Sequence, residues 1–340
     1  MIFSYRTRQL LSRIFTTTVL ALLVVAVGMA ALTLWLQRFL VYEEDGVRLD
    51  FQNRPDLSQS RLPQPDIPSG SVEIIYDDSP YDPGMGQLVG YYIDPLHLQE
   101  DPGAVQASLA QLEPGTAVLL DVKGYRGYFY YPTTIANTTT SKSYDMDAMQ
   151  QLLSWLSQSE LYVIARLSAF RDFDYAGKNN ACGLPMASGA LYSDSDAYGL
   201  GYWLDPANNQ VQTYLIDILN ELQKLGVDEV VLENFCFPDT NKIVYEQDKT
   251  QALTVAAANL VTACANKNFV ISFAGKLDFA LPGTNCRLYL QDVAPSELQS
   301  TWDNAPVSDQ RTQLVLLIPF EDERYQLGNG LLTQLLVPGL

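Results

Sequence analysis

Residues 202–238 read YWLDPANNQVQTYLIDILNELQKLGVDEVVLENFCFP. Asp205 is placed to cap a helix, with Pro206 in the first turn, where a missing N–H costs nothing. Val211, Tyr214, Leu215, Ile218, Leu219, Leu222 and Leu225 then recur at helical spacing and form one apolar stripe. Gly226 follows as a left-handed stop. In 228–235 the apolar Val230, Val231 and Leu232 sit between polar ends, the pattern of a strand buried on both faces. A helix running straight into such a strand is half of a βαβ unit. Glu233 falls where that strand leaves the sheet, the edge that carries function in parallel α/β folds.

The same alternation continues outward on both sides. Segments 88–94 (LVGYYID), 117–123 (AVLLDVK), 161–168 (LYVIARLS), 268–275 (NFVISFAG), 287–292 (RLYLQD) and 313–319 (QLVLLIP) are strand-like. Helical spacing occupies 102–112, 145–158, 208–225, 247–266 and 294–303. With residues 335–337 as the eighth strand, the pattern fits a (β/α)8 TIM-like barrel over 71–340, close to the ~250 residues typical of that fold. A doubly wound sheet shares the alternation, but no GxGxxG turn follows the first strand.

These stretches resemble the putative glycosyl hydrolase domain family of bacteria. The family hallmark is roughly WxDP…Y…E…GFDEIQFDYVRFP, matched here by Trp203, Asp205, Pro206, Tyr214, Glu221, Gly226, Asp228, Glu229, Phe235, Phe237 and Pro238. GTAVLLDVKGYRGYFYY (115–131) and LYVIARLSAFRD (161–172) extend the resemblance over roughly 88–240. Two positions depart from the family: Glu233 replaces its Asp, and Cys236 replaces the Arg of VRFP. The second half of the chain is less similar, as in a divergent member. The resemblance implies a glycoside-hydrolase-like barrel.

All 39 acids lie after residue 42, against 17 of the 21 Lys and Arg, so the chain from residue 43 onward carries a net charge of −22. That argues against nucleic acid, whose binding draws on clustered cations. Residues 1–14 are a basic stub. Phe15–Leu36 is 22 residues without a charge, about 33 Å as a helix and enough to cross a bilayer core of roughly 30 Å. The flanking charges orient a signal anchor over 15–37 with its N-terminus in the cytoplasm of a bacterial cell. A cleaved signal peptide is the rival reading. The Pro-punctuated stretch 38–70 reads as an extended linker. The expected product is a single-pass membrane protein with an extracellular C-terminal domain.

A glycosidase needs two carboxyl groups across the bond, about 5–5.5 Å apart for retention and about 6.5–9.5 Å for inversion. Glu233 is the first candidate and Asp121, at the end of the second strand, the partner. Lys123 shares the parity of Asp121 and is expected on the same side. Arg166, ending the third strand, is a candidate for orienting a carboxylate or binding substrate. Asp292 and Glu321, just past later strands, are further candidates for substrate contact. Trp203 and Tyr91 are the ring candidates among many aromatics near strand ends, since flat rings suit the apolar faces of sugars. Each has a bland alternative: structural ion pairs for the charges, ordinary packing for the rings.

Cys182, Cys236, Cys264 and Cys286 have no metal-ligand spacing. Export permits disulfides, and the barrel suggests the pairs 182–236 and 264–286. One histidine, His97, leaves no material for a zinc site or a Ser–His–Asp triad. No cofactor is expected. The leading expectation is a glycoside hydrolase acting on a cell-wall or environmental glycan. The alternatives are a carbohydrate-binding barrel without catalysis and a cell-envelope scaffold.

Overall fold

The computed structural model describes residues 40–43, 46–49, 86–196, 199–266, 268–325 and 327–339. The chain divides into two compact units, Met1–Tyr76 and Asp77–Leu340. In the first, Leu40–Glu43 pairs antiparallel with Gly46–Leu49, a short hairpin inside the stretch expected to be an extended linker. The basic stub, the anchor helix at 15–37 and residues 50–70 lie outside the described residues. Among the described residues no helix is long and apolar enough to cross a membrane.

The second unit is a closed barrel of eight parallel strands. They are β1 (Val89–Tyr92), β2 (Ala117–Lys123), β3 (Tyr162–Ser168), β4 (Glu229–Glu233), β5 (Val270–Ala274), β6 (Leu288–Gln291), β7 (Leu314–Ile318) and β8 (Gly330–Gln334). Each pairs with the next, and β8 returns to β1 through Leu331↔Val89 and Gln334↔Tyr92. Outside lie α1 (Pro102–Leu109), α2 (Met146–Leu156), α3 (Asn209–Lys224), α4 (Lys249–Cys264) and α5 (Leu298–Asn304).

Period-2 alternation divides the apolar residues into two cores. Leu88, Ala117, Leu119, Ile164, Val231, Val315, Leu317 and Leu332 fill the lumen. Their neighbours, such as Val118, Leu120, Val163, Val230 and Leu232, pack outward against the helical stripes, including Leu215, Ile218 and Leu222 of α3. Helix α3 stops at Gly226, whose φ of +82° is the left-handed conformation expected of a terminator. A side chain there would collide with Ser157.

Four expectations are corrected. Helix α3 is capped by Asn208, whose side chain accepts from Gln210 N at 2.8 Å. Asp205 instead forms the preceding turn, accepting from Ala207 N while its own N–H is tied to Cys182 O. The eighth strand is Gly330–Gln334, just before 335–337; its glycine permits close approach to Val315, Leu314 and Leu88, and its polar end disguises it. A β-bulge between Asp121 and Lys123 breaks their shared parity, so they face opposite sides. All four cysteines are free thiols. Cys182, Cys264 and Cys286 are buried, and Cys264 packs against Ile216 O of α3.

Candidate active site

The alternation that buries Leu119, Ile164, Val231 and Tyr289 in the lumen carries the next residue of the same parity to the mouth. Those residues are Asp121, Arg166, Glu233 and Gln291. Asp121 and Arg166 are direct neighbours in the β2–β3 ladder. The guanidinium grips the carboxylate in a fork, Nε to Oδ1 at 2.6 Å and Nη2 to Oδ2 at 3.0 Å, and donates Nη1 to Gln291 Oε1 at 3.1 Å. Burial works against the charge on Arg166, yet Asp121 overcomes it and raises the guanidinium pKa. Both side chains remain open to the mouth, at 15% and 16% exposure.

Glu233 is half-buried at the end of β4. It lines a cavity of about 280 Å³ together with Arg166, Asn234, Cys236, Lys276 and Gln291. Its backbone is fixed from both sides: Ala169 N donates to Glu233 O at 2.8 Å, and Asn234 takes a left-handed φ of +52°. Asn tolerates that conformation, and its amide donates to Ser168 Oγ at 3.1 Å. Among the described residues the Glu233 side chain has no hydrogen-bond or ion-pair partner. Burial raises its pKa above the ordinary carboxyl value; Arg166 opposes this and Asp121 reinforces it. The site thus holds one carboxylate fixed in a fork and one carboxyl biased toward keeping its proton.

Tyr92 and Tyr130 are half-buried beside these groups. Burial raises the Tyr130 hydroxyl, with Tyr144, Asp121 and Glu233 adding to it. Tyr130 stacks on Tyr144 at 4.4 Å between ring centroids. Cys236 is pushed up to about 11 by burial, so it stays a thiol at neutral pH.

Other expected residues sit elsewhere. Lys123 lies behind the bulge in a buried ion pair with Asp172 (Nζ–Oδ2 2.8 Å), and its ammonium also donates to Ser168 O at 2.6 Å. Asp172 caps the helix Phe173–Lys178 and accepts from Tyr214 OH at 2.9 Å. Trp203 is buried and donates Nε1 to Asp194 Oδ2 at 2.7 Å, so it braces the short strand Ser193–Asp196 and does not line the cavity. Tyr91 packs into the outer core, because Leu88 sets the lumen parity and Tyr92 inherits it. Asp292 and Glu321 are exposed on the rim and bond to nothing among the described residues. Tyr92 and Tyr130 are only two of the many aromatics near strand ends that the sequence offers, and Gln291 and Asn234 are not singled out by it. The parity running from Leu88 to Tyr92 contains the signal for the first of them.

Among the described residues no group of His, Cys, Asp and Glu could hold a metal ion. A sequence match now bears on this site: residues 107–272, just under half the chain, match the family model described as a putative glycosyl hydrolase domain. The resemblance is shown over that span. Strands β2, β3 and β4, with Asp121, Arg166 and Glu233, lie inside the matched span. No curated protein matches the chain.

Among solved structures, a cycloalternan-degrading enzyme from Trueperella pyogenes superposes with a TM-score of 0.52 at 10% identity, over 75% of this chain and 43% of that one. The alpha-galactosidase TtGalA from Thermus thermophilus, in complex with stachyose, gives 0.52 at 12% identity over 74% and 62%. A hypothetical protein from Ruminiclostridium thermocellum gives 0.45 at 21% identity over 54% and 96%. The chain spans less than two thirds of either enzyme's length. At these identities the likeness is one of fold, the closed barrel of parallel strands.

Proposed function

We propose that the chain hydrolyses an O-glycosidic bond in a cell-wall or environmental glycan, held outside the bacterial cell by the apolar segment at 15–37. Glu233 is the general acid that protonates the leaving oxygen. Asp121, held by Arg166, is the second carboxylate, facing the positive charge that develops on the sugar ring. The observation that carries this reading is the unpartnered Glu233, its pKa raised by burial, in a cavity beside the Asp121–Arg166 fork. A carboxyl whose pKa is shifted upward by its surroundings is the kind of group that general acid catalysis uses. The family match over β2–β4 and the sugar-active enzymes that share the fold support it.

Turnover of an oligosaccharide panel, read as new reducing ends, tests the proposal. Glu233→Gln is expected to lower the rate by about 10²–10⁴-fold, the range of a lost general acid. Wild-type and variant proteins that both bind sugar and both fail to turn it over would support the second reading, a binding barrel without catalysis. One observation favours that alternative: both oxygens of Asp121 are already engaged by Arg166.

A further inference from the structure

We infer that the sugar held in this cavity carries a carboxylate, as in a uronate-containing glycan. The inference rests on the hydrolase reading only in taking the cavity as the place where sugar binds. The charges on the cavity wall invert those of the chain around them. From residue 43 onward acids outnumber bases 39 to 17. On the wall two cations, Arg166 and Lys276, stand against one carboxyl, Glu233. Asp121, which grips Arg166 from behind, and Asp292, which follows Gln291, do not line the cavity. Even with Glu233 ionised, the wall keeps a surplus of positive charge.

Independent of that surplus, the hydrogen bonds leave donors unspent. Gln291 accepts from Arg166 Nη1 at 3.1 Å through its Oε1. A planar amide held that way turns its Nε2 away from the guanidinium, and among the described residues this nitrogen has no acceptor. Arg166 uses Nε, Nη1 and Nη2 once each, three of the five N–H donors a guanidinium carries. Lys276 follows Gly275, whose φ of +85° turns the chain at the end of β5. Its ammonium lies 3.9 Å from Asp278 without a hydrogen bond, and the side chains are 90% and 50% exposed. A solvated pair of that kind contributes little, so a ligand oxygen displaces Asp278 at small cost. Asn234, by contrast, spends its amide on Ser168 Oγ.

A carboxylate brings two acceptor oxygens and a negative charge to such donors. A neutral hydroxyl would answer the Gln291 amide but not the charge of Lys276, and an amino sugar would meet like charge. The chain's distant acids are screened beyond about 8 Å at physiological ionic strength, so the wall decides. In this arrangement Lys276 and the Gln291 amide hold the sugar carboxylate, and Glu233 faces the glycosidic oxygen. The bound anion also pushes Glu233 the way burial already does, because a nearby negative charge raises a carboxyl's pKa.

The test uses the full-length chain with oligogalacturonate and oligomannuronate, each beside its methyl ester, which keeps the sugar and removes the charge. Binding is read by calorimetry and turnover by reducing ends. The expected result is about tenfold tighter binding of at least one acid form over its ester, the scale of a charged hydrogen bond, shrinking as salt rises. Lys276→Gln is expected to cut that preference about threefold, the scale of an exposed ion pair. Gln291→Glu keeps an acceptor for Arg166 but sets a carboxylate oxygen where the amide N–H stood, and is expected to abolish the preference. Esters bound as tightly as acids, binding of none of the four probes, or a preference unchanged in both variants overturns the inference. Turnover of an ester without preference for its acid overturns it while leaving the hydrolase reading intact. Acid preference without turnover supports it and removes the hydrolase reading instead.

Discussion

Glu233 and Asp121 show how one charge type is given two characters by its surroundings. Asp121 meets a guanidinium fork, whereas Glu233 meets a cavity wall and no donor among the described residues. Because burial raises the Glu233 pKa in the folded chain, the native state binds more protons than the unfolded state between the ordinary carboxyl value and the raised one. Stability therefore falls as pH rises through that window, and the penalty is absent below it. Glu233→Gln is accordingly expected to melt at a higher temperature than the parent near pH 7 and to converge with it below about pH 4. Thermal scans at the two pH values check this; an equal offset at both would rule out desolvation as the cause. The sign is opposite for Glu221 of α3, which accepts from Tyr131, Thr133 and Thr134 and is lowered although burial pushes it up. Its contribution is present above the ordinary carboxyl range and lost as the pH falls below it.

At the scale of the element, the bulge in β2 has the largest consequence. It sends Asp121 into the lumen and Lys123 out to Asp172, where both side chains are fully buried. Lys123→Met leaves Asp172 buried with Tyr214 OH and Tyr175 N but no cation. The expected cost is about 3–5 kcal/mol, the range for breaking a buried pair from one side. Adding Asp172→Asn is expected to recover part of it, measured by urea unfolding. Additive losses in the double variant would mean that the two groups do not act as a pair. This pair also marks the limit of what the sequence discloses. Helix stripes, strand runs and the stop at Gly226 are local patterns, and they appear in the structure within a few residues of where spacing puts them. A one-residue register shift depends on the partner strand, so Lys123 was expected beside Asp121. Alternation along β1 distinguishes Tyr91 from Tyr92 without saying which faces the lumen; Leu88 and Leu119 decide that only once the barrel closes. Asp121, Arg166 and Glu233 were legible because strand-end position, unlike parity across a bulge, survives such shifts.

For the molecule as a whole, closure requires every strand to turn one face inward, and the lumen must then be filled from mouth to floor. The floor is polar. Glu229, fully buried at the start of β4, accepts from Tyr162 OH at 3.0 Å, Ser272 Oγ at 2.5 Å, Tyr289 OH at 2.9 Å and Arg287 Nη1. Those donors come from β3, β5, β6 and Arg287 just before β6, so one carboxylate joins four consecutive staves. Burial opposes the charge on Arg287, and Glu229 reverses that and raises its pKa. Glu229→Gln keeps the shape but leaves Arg287 buried without its counter-charge, with an expected loss of about 3–5 kcal/mol. Replacing both, as Glu229→Leu with Arg287→Met, removes the two charges together and is expected to cost less than the single change, because apolar residues of similar volume often substitute for a buried pair. Denaturant melts of the three proteins decide between a floor held by charge and one held by packing. A double variant weaker than Glu229→Gln would show that the four strands need the carboxylate itself, through the Tyr162, Ser272 and Tyr289 hydroxyls it gathers, and that the barrel closes around a hydrogen-bonded floor as much as around its apolar lumen.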